Sequence, residues 1–401
     1  MIQSRFSILL NRAALPLACA LSISSAMAVE LGQGVQAHGF LSQSLVYTSD
    51  NRMGGNSDDG IATEMREIGG NLSWRPGADW LLSGQALARW AGASDNGDLR
   101  LDYGFVDRTL LADGDTSVGV RLGKIKNPYG FYNTTRDVAQ TRPGIIMPQA
   151  IYLDRARNFF LAAPGIGFYG NHESANGNLS WQVSALRPEV DDPDLTMFML
   201  GRSLGHFSGK ASWLGQALLE SEGGRWRAGL SLGQMAMKYH PAAIDPFMAG
   251  QTRLPTWVLS LEHNTEYWSL TGEFSQTSVH SNGYGNPAIE QDNTTEAWYL
   301  QATRRFGGGW QGFLRYDVLY MDKHDRDGTA FAASIPIYRS FPYLRFTKDW
   351  SVGVRRDVGR WTWSGEWHHV DGTAWLSPTD TPVRTSVEKW DLLLLQGAWY
   401  F

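Results

Sequence analysis

Apolar residues recur at every second position along nearly the whole chain, and the helical spacing i, i+3, i+4 does not persist in these windows. Clear windows are Ile68/Gly70/Leu72/Trp74, Leu82/Gly84/Ala86/Ala88/Trp90, Leu99/Leu101/Tyr103/Phe105, Trp226/Ala228/Leu230/Leu232 and Trp361/Trp363/Gly365/Trp367. The residues between them are polar or small: Asn71 and Ser73, Gln85 and Arg89, Thr271 and Glu273, Arg315 and Asp317. Side chains alternate across a strand, so each segment has one apolar and one polar face. A soluble barrel turns its apolar face inward, whereas a barrel in lipid turns it outward around a polar interior. Beyond the first 28 residues nothing approaches the roughly 20 apolar residues of a spanning helix. The 17 Trp, 15 Tyr and 17 Phe, with only 19% charged residues, fit the aromatic girdles of a membrane barrel.

The connections alternate in length. Short ones fall at 76–79, 112–116, 171–178, 221–224, 263–265, 306–309 and 356–360; long ones fall at 50–63, 92–98, 127–158, 187–208, 238–255, 278–293, 321–342 and 371–386. Seven short turns and eight long loops predict an all-β fold, a transmembrane antiparallel β-barrel of sixteen strands. Short turns then lie on the periplasmic side and long loops outside. The last residues, Leu395 to Phe401, place Leu395, Trp399 and Phe401 on one face. A barrel's last strand must pair with its first, so this segment is expected to close against a strand near 35–48. Trp399 and Phe401 are the expected closure signal, read by the barrel-assembly machinery.

Met1–Ala28 carries Arg5 and Arg12, an apolar stretch, and a closing Ala26-Met27-Ala28. This is the pattern of a secretory signal peptide cleaved near Ala28, leaving one barrel domain over 29–401 destined for the outer membrane. The single cysteine, Cys19, falls inside it, so the remainder has neither disulfide nor thiolate metal site. Without Arg5 and Arg12 the chain holds 33 basic and 40 acidic side chains, which argues against a nucleic-acid partner. No cofactor or metal is expected. His368 and His369 are adjacent in a strand and point to opposite faces, and Asp325-Arg326-Asp327-Gly328 lacks the closing Glu of a calcium loop. Gly165-Ile166-Gly167-Phe168-Tyr169-Gly170 matches a dinucleotide fingerprint but runs on as a strand, its glycines instead giving the third loop room to pass the wall.

Sixteen strands enclose an aqueous lumen that needs narrowing. The longest loop, the third (127–158), mixes apolar Ile145, Ile146, Met147, Ile151 and Tyr152 with Arg136, Asp137, Arg142, Asp154, Arg155 and Arg157. A solvated loop has no use for so many large apolar residues, so this one is expected to fold into the lumen as the pore constriction. The stretch from Arg121-Leu-Gly-Lys-Ile-Lys-Asn-Pro-Tyr-Gly130 to Tyr152-Leu-Asp-Arg155 resembles putative porins of the Gram-negative outer-membrane porin superfamily, near the phosphate-selective group. The resemblance implies a third loop in the lumen facing a basic cluster on strands two to four, and a homotrimer. The matching pore-wall positions are Arg75, Arg89, Arg100, Asp102 and Arg108, with Arg121 on strand five. The family's loop is usually acidic, whereas this one is rich in arginine.

Guanidinium groups pair with carboxylates and phosphates in a bidentate way. The expectation is a diffusion channel for small hydrophilic solutes with a weak anion or small-acid preference. Its partners are outer-membrane lipid and lipopolysaccharide. The alternatives are a receptor or adhesin barrel without transport, or an outer-membrane hydrolase built on His38, His263, His368 or His369. No Ser/Asp pattern beside those histidines supports an enzyme.

Overall fold

The computed structural model describes residues 29–401 apart from Ser94, Asp191 and Ala288. The expected signal segment, Met1–Ala28, lies outside the described residues. Sixteen antiparallel strands, numbered β1 to β16, close into one barrel. The first seven are β1 (Val35–Thr48), β2 (Arg66–Trp74), β3 (Trp80–Trp90), β4 (Asn96–Asp113), β5 (Thr116–Lys126), β6 (Ala162–Ser174) and β7 (Gly177–Leu186). β8 is interrupted at Lys210 and Ala211, giving His206–Gly209 and Ser212–Ser221. Then come β9 (Trp226–His240), β10 (Gln251–Asn264), β11 (Trp268–Asn282), β12 (Asp292–Gly307) and β13 (Trp310–Tyr320). The last three are β14 (Phe346–Val358), β15 (Trp361–Gly372) and β16 (Lys389–Tyr400). A four-residue strand, Val29–Gly32, folds back on the start of β1 through a turn in which Gly32, Gln33 and Gly34 all have positive φ.

The expected alternation holds on most strands. Leu300, Trp363 and Leu395 are more than half exposed on the outer face, while Ser260, Thr271, Glu273, Ser351 and Gln396 are buried on the inner one. Trp74, Trp80, Trp226, Trp268, Trp310 and Trp361 stand exposed at strand ends beside the short turns, and Tyr47, Trp213, Trp350 and Trp367 lie farther toward the long loops. These two bands are where amphipathic rings sit at the two lipid–water boundaries.

β4 departs from the pattern. Gln85 faces Tyr103 and Ala86 faces Leu101, so Asp102 is an extra residue in the ladder. This β-bulge turns Asp102 and Tyr103 both inward and flips the parity beyond them. Leu99 and Leu101 face out, but Tyr103 reaches the inward Asn71. The four-residue apolar face read from Leu99, Leu101, Tyr103 and Phe105 is therefore split between lipid and lumen.

β16 closes on β1 from Leu392 opposite Thr48 to Tyr400 opposite Phe40. Phe401 and Gly39 then exchange two backbone hydrogen bonds, of 3.0 and 3.2 Å. The Phe401 ring lies over Gly39, where any β-carbon would overlap it, and packs against Trp399 with ring centroids 5.3 Å apart. Gly39→Leu is expected to lower the yield of heat-modifiable barrel on refolding into lipid vesicles. Phe401→Ala is expected to cost about 2 kcal/mol in urea unfolding followed by tryptophan fluorescence.

Candidate functional site

The chain leaves the wall at Lys126 and rejoins it at Ala162, and the neck between is stapled. The Asn127 N–H donates to the Leu161 carbonyl at 2.9 Å, and the Asn133 side chain donates to the carbonyls of Asn127 and Phe160 at 3.0 and 2.8 Å. From this neck the loop runs through the barrel interior. A buried backbone needs a partner for every N–H and C=O, and inward side chains of distant strands supply many of them. Glu273 on β11 accepts the Phe131 N–H (2.9 Å), the Ser260 hydroxyl (2.5 Å) and the hydroxyls of Tyr152 (2.6 Å) and Tyr299 (2.9 Å). Asp317 on β13 accepts the Ala150 N–H at 3.0 Å, and Glu366 on β15 accepts those of Ile145 and Ile146. Gln216, Arg315 and Arg355 donate to the carbonyls of Gly130, Ile146 and Gln140.

The apolar loop residues Ile145, Ile146, Met147, Ile151 and Tyr152 join one buried cluster with Val258, Ala297, Leu319, Trp375 and Trp390. Part of the inner wall in the external half is apolar, where the loop packs against it. Leu392 and Leu394 are fully buried inside while Leu393 and Leu395 face out, so this stretch of β16 is apolar on both faces.

The loop's charges face β2 to β5. Arg142 donates to Glu67 at 2.5 Å and to the carbonyls of Arg136 and Asp137. Arg136 donates to Asp154 at 2.8 Å and to the Tyr152 carbonyl at 3.0 Å. Asp137 pairs with Lys126 and accepts from Gln85 at 3.0 Å, and Gln85 also donates to Asp102 at 2.9 Å. Arg157 stands 3.8 Å from Asp102 and 3.7 Å from Asp137, and its two terminal nitrogens make no hydrogen bond. On the wall Arg89 reaches Glu67 (3.3 Å), Asp95 (3.4 Å) and Asp154 (3.9 Å), and Arg100 pairs with Asp95 at 2.9 Å.

The structure thus brings together Arg89, Arg100, Asp102, Arg136, Asp137, Arg142, Asp154 and Arg157. Four predicted residues lie elsewhere. Arg108 is on the outer face, its guanidinium 5.1 Å above the exposed Trp80 ring, because the β4 bulge reversed its parity. Arg75 lies beyond the end of β2, exposed in a short turn where its N–H bonds the Gly34 carbonyl. Arg155 is drawn into the neighbouring loops, 3.7 Å above the ring of Phe198 and 3.6 Å from the sulfur of Met321. Arg121 does point inward, but is held by Asp107 at 2.6 Å between the rings of Tyr169 and Phe105. Gly165 makes room for the Ala185 carbonyl of the adjacent strand, and Gly167 for Ile125 and Ser184, so these glycines serve strand packing and not the loop's passage.

The sequence reading missed Glu67, Asp95, Lys126, Glu273, Asp317 and Glu366. Each was visible as a charged residue between outward apolar ones or at a strand end, but nothing in one chain says which strands lie opposite the loop. His368 is fully buried, its Nδ1 2.8 Å from Asp349 and its Nε2 3.3 Å from Glu366. His369 points out to Asp391 at 2.9 Å, so the two histidines do face opposite ways.

No family model matches the sequence, and no curated protein matches it. Solved structures do. The anion-selective porin from Comamonas acidovorans aligns with TM-score 0.57 at 14% identity, covering 92% of this chain and 99% of that one. The outer-membrane channel DcaP of Acinetobacter baumannii gives 0.58 at 11%, covering 94% and 100%. OmpT of Vibrio cholerae, in its trimer form, gives 0.55 at 10%, covering 92% and 99%. The chain has the fold of the Gram-negative outer-membrane porins, a closed transmembrane barrel of sixteen strands. At these identities the likeness extends to the architecture alone.

Removing the carboxylate in Glu273→Ala leaves the buried Phe131 N–H and three hydroxyls without an acceptor. It is expected to cost about 3 kcal/mol in unfolding free energy and to make the loop sensitive to protease, with Glu273→Gln intermediate. Burial raises the pKa of Asp154, but Arg89 and Arg136 override it and hold the carboxyl below its ordinary value; at Asp137 burial is overridden in the same way by Lys126 and Arg157. A depressed folded value adds stability above the unfolded value of about 4, and that stability is lost as pH falls through the folded one. Protease resistance of the loop is therefore expected to stay flat from pH 8 to about 5 and to fall below about pH 4.

Proposed function

We propose that the chain is an outer-membrane porin: a water-filled diffusion channel for small hydrophilic solutes, narrowed by its third loop and weakly favouring small anions and acids. The observation that carries this reading is a loop held inside the barrel by wall side chains and facing a cluster of arginines. That cluster sets six cations (Arg89, Arg100, Lys126, Arg136, Arg142, Arg157) against five carboxylates (Glu67, Asp95, Asp102, Asp137, Asp154). One charge of excess, with most guanidiniums already paired, supports a modest transverse field and a mild anion bias. Arg157 supplies the least satisfied donors. One fold relative is described as anion-selective, which agrees in sign.

A cavity of about 20 Å³, close to one water, lies among Arg89, Arg136, Arg142 and Arg157. Another of about 150 Å³ opens toward the short turns beside Glu262, Arg305 and Arg355. Both are lined by Arg142 and Gln396, which supports a route past these two side chains. The hydrolase alternative is disfavoured because the Nε2 of His368 faces Glu366 and not a hydroxyl. Removal of the leader at Ala28, recognition of Trp399 and Phe401 during assembly, contact with lipopolysaccharide and a homotrimer belong to the same reading. One fold relative has been captured as a trimer.

Reversal potentials in planar bilayers across a potassium chloride gradient test it. The expected sign is chloride over potassium, with Arg157→Glu reversing it. Cation selectivity of the wild type overturns the anion preference, and absence of openings at any voltage favours the receptor reading.

A further inference from the structure

His368 takes no part in the arginine cluster. It lies on the inner face of β15, fully buried, with Nδ1 2.8 Å from an Asp349 oxygen and Nε2 3.3 Å from a Glu366 oxygen. A neutral imidazole has one N–H, so it can donate to one carboxylate and must turn a lone pair toward the other. A carboxylate oxygen at each ring nitrogen is satisfied only when both nitrogens carry a proton.

The groups packed around the ring leave it the same task. On β14, Asp349 takes the Ser351 hydroxyl at 3.3 Å, and its second carboxylate oxygen is buried without a hydrogen bond among the described residues. Asp349 also stands opposite Asp317 in the β13–β14 ladder. The cation that β13 brings to this face is Arg315, which donates to the Ile146 carbonyl and to Gln301. β16 brings Leu392 opposite His368 and Leu394 opposite Glu366, both fully buried. The loop brings the apolar Ile145 and Ile146. Arg142 and Arg355 border a cavity with Glu366, but Arg142 is paired with Glu67 and Arg355 with Asp357. With a neutral His368, the carboxylates of Asp317, Asp349 and Glu366 would share Arg315 alone.

We infer that His368 is a positioning residue for the third loop: as an imidazolium it balances Asp349 and Glu366, and so keeps Glu366 charged and aimed at the N–H groups of Ile145 and Ile146. Loss of that proton leaves two buried carboxylates with no cation between them, a costly arrangement. Glu366 then turns away from the loop, and residues 145–146 are released from β15. The loop thus has an alkaline limit beside its acid one. The inference rests on the course of the loop inside the barrel and not on conduction, so a barrel that never opens leaves it standing.

The test uses the refolded barrel. The nitrogen NMR spectrum of histidine-labelled protein at about pH 7 is expected to show one ring with both nitrogens protonated and both protons slow to exchange with water. Backbone amide exchange at Ile145 and Ile146 is followed alongside. His368→Gln is expected to speed it about tenfold. Adding Asp349→Asn to that variant is expected to slow it again, because a stranded charge has been removed. Wild-type exchange at these amides, corrected for its intrinsic pH dependence, rises at alkaline pH, whereas the double variant lacks that rise. No such ring in the wild-type spectrum, or a double variant that exchanges as fast as His368→Gln, overturns the inference. The wild-type spectrum decides it even where the variants fail to fold.

Discussion

A loop that enters a barrel must find hydrogen-bond partners for a backbone that has left water, and the rest of this structure depends on how the wall supplies them. Glu273 is the clearest supplier. It gathers a loop N–H, a loop tyrosine and hydroxyls from β10 and β12 onto one carboxylate. Asp317 and Glu366 repeat the device farther round the barrel, and Glu67 takes a guanidinium from the opposite side. A neutral acceptor satisfies such donors less strongly, because charge-assisted hydrogen bonds are shorter and stronger. The apolar loop residues then pack with inner-wall positions that would be misplaced in an open lumen.

The same carboxylates decide what the arginines are free to do. A count of the loop and its wall by sequence suggests a strongly basic passage. In the folded barrel Arg89, Arg100, Arg136 and Arg142 each meet a carboxylate, and little of their charge is left unopposed. On the proposed porin reading, selectivity would rest on the few donors left over, Arg157 foremost, and less on the total charge.

Strand number, the apolar-out and polar-in faces of most strands and the closure of β16 on β1 were legible in the sequence, because each rests on local periodicity or on turn chemistry. The inward course of the third loop was legible too, from its apolar content. Its contacts were not. Which acids face Ile145 or Phe131 depends on the curvature that brings β11, β13 and β15 opposite the loop, and no local pattern encodes that. Arg155 shows the same limit: only folding puts Phe198 beneath it. Arg108 failed for another reason, since alternation assumes an unbroken ladder and β4 contains a bulge.

That bulge makes the strand behave like a reading frame. Residues after Asp102 are interpreted as lumen or lipid according to a count that one inserted residue has shifted. Gaining or losing a single codon there would exchange the two faces of the following stretch, moving Arg108 into the water and Tyr103 and Phe105 toward the bilayer. A barrel wall built this way can change its pore chemistry at several positions in one step, while point substitutions would have to pass through intermediates with charge in lipid.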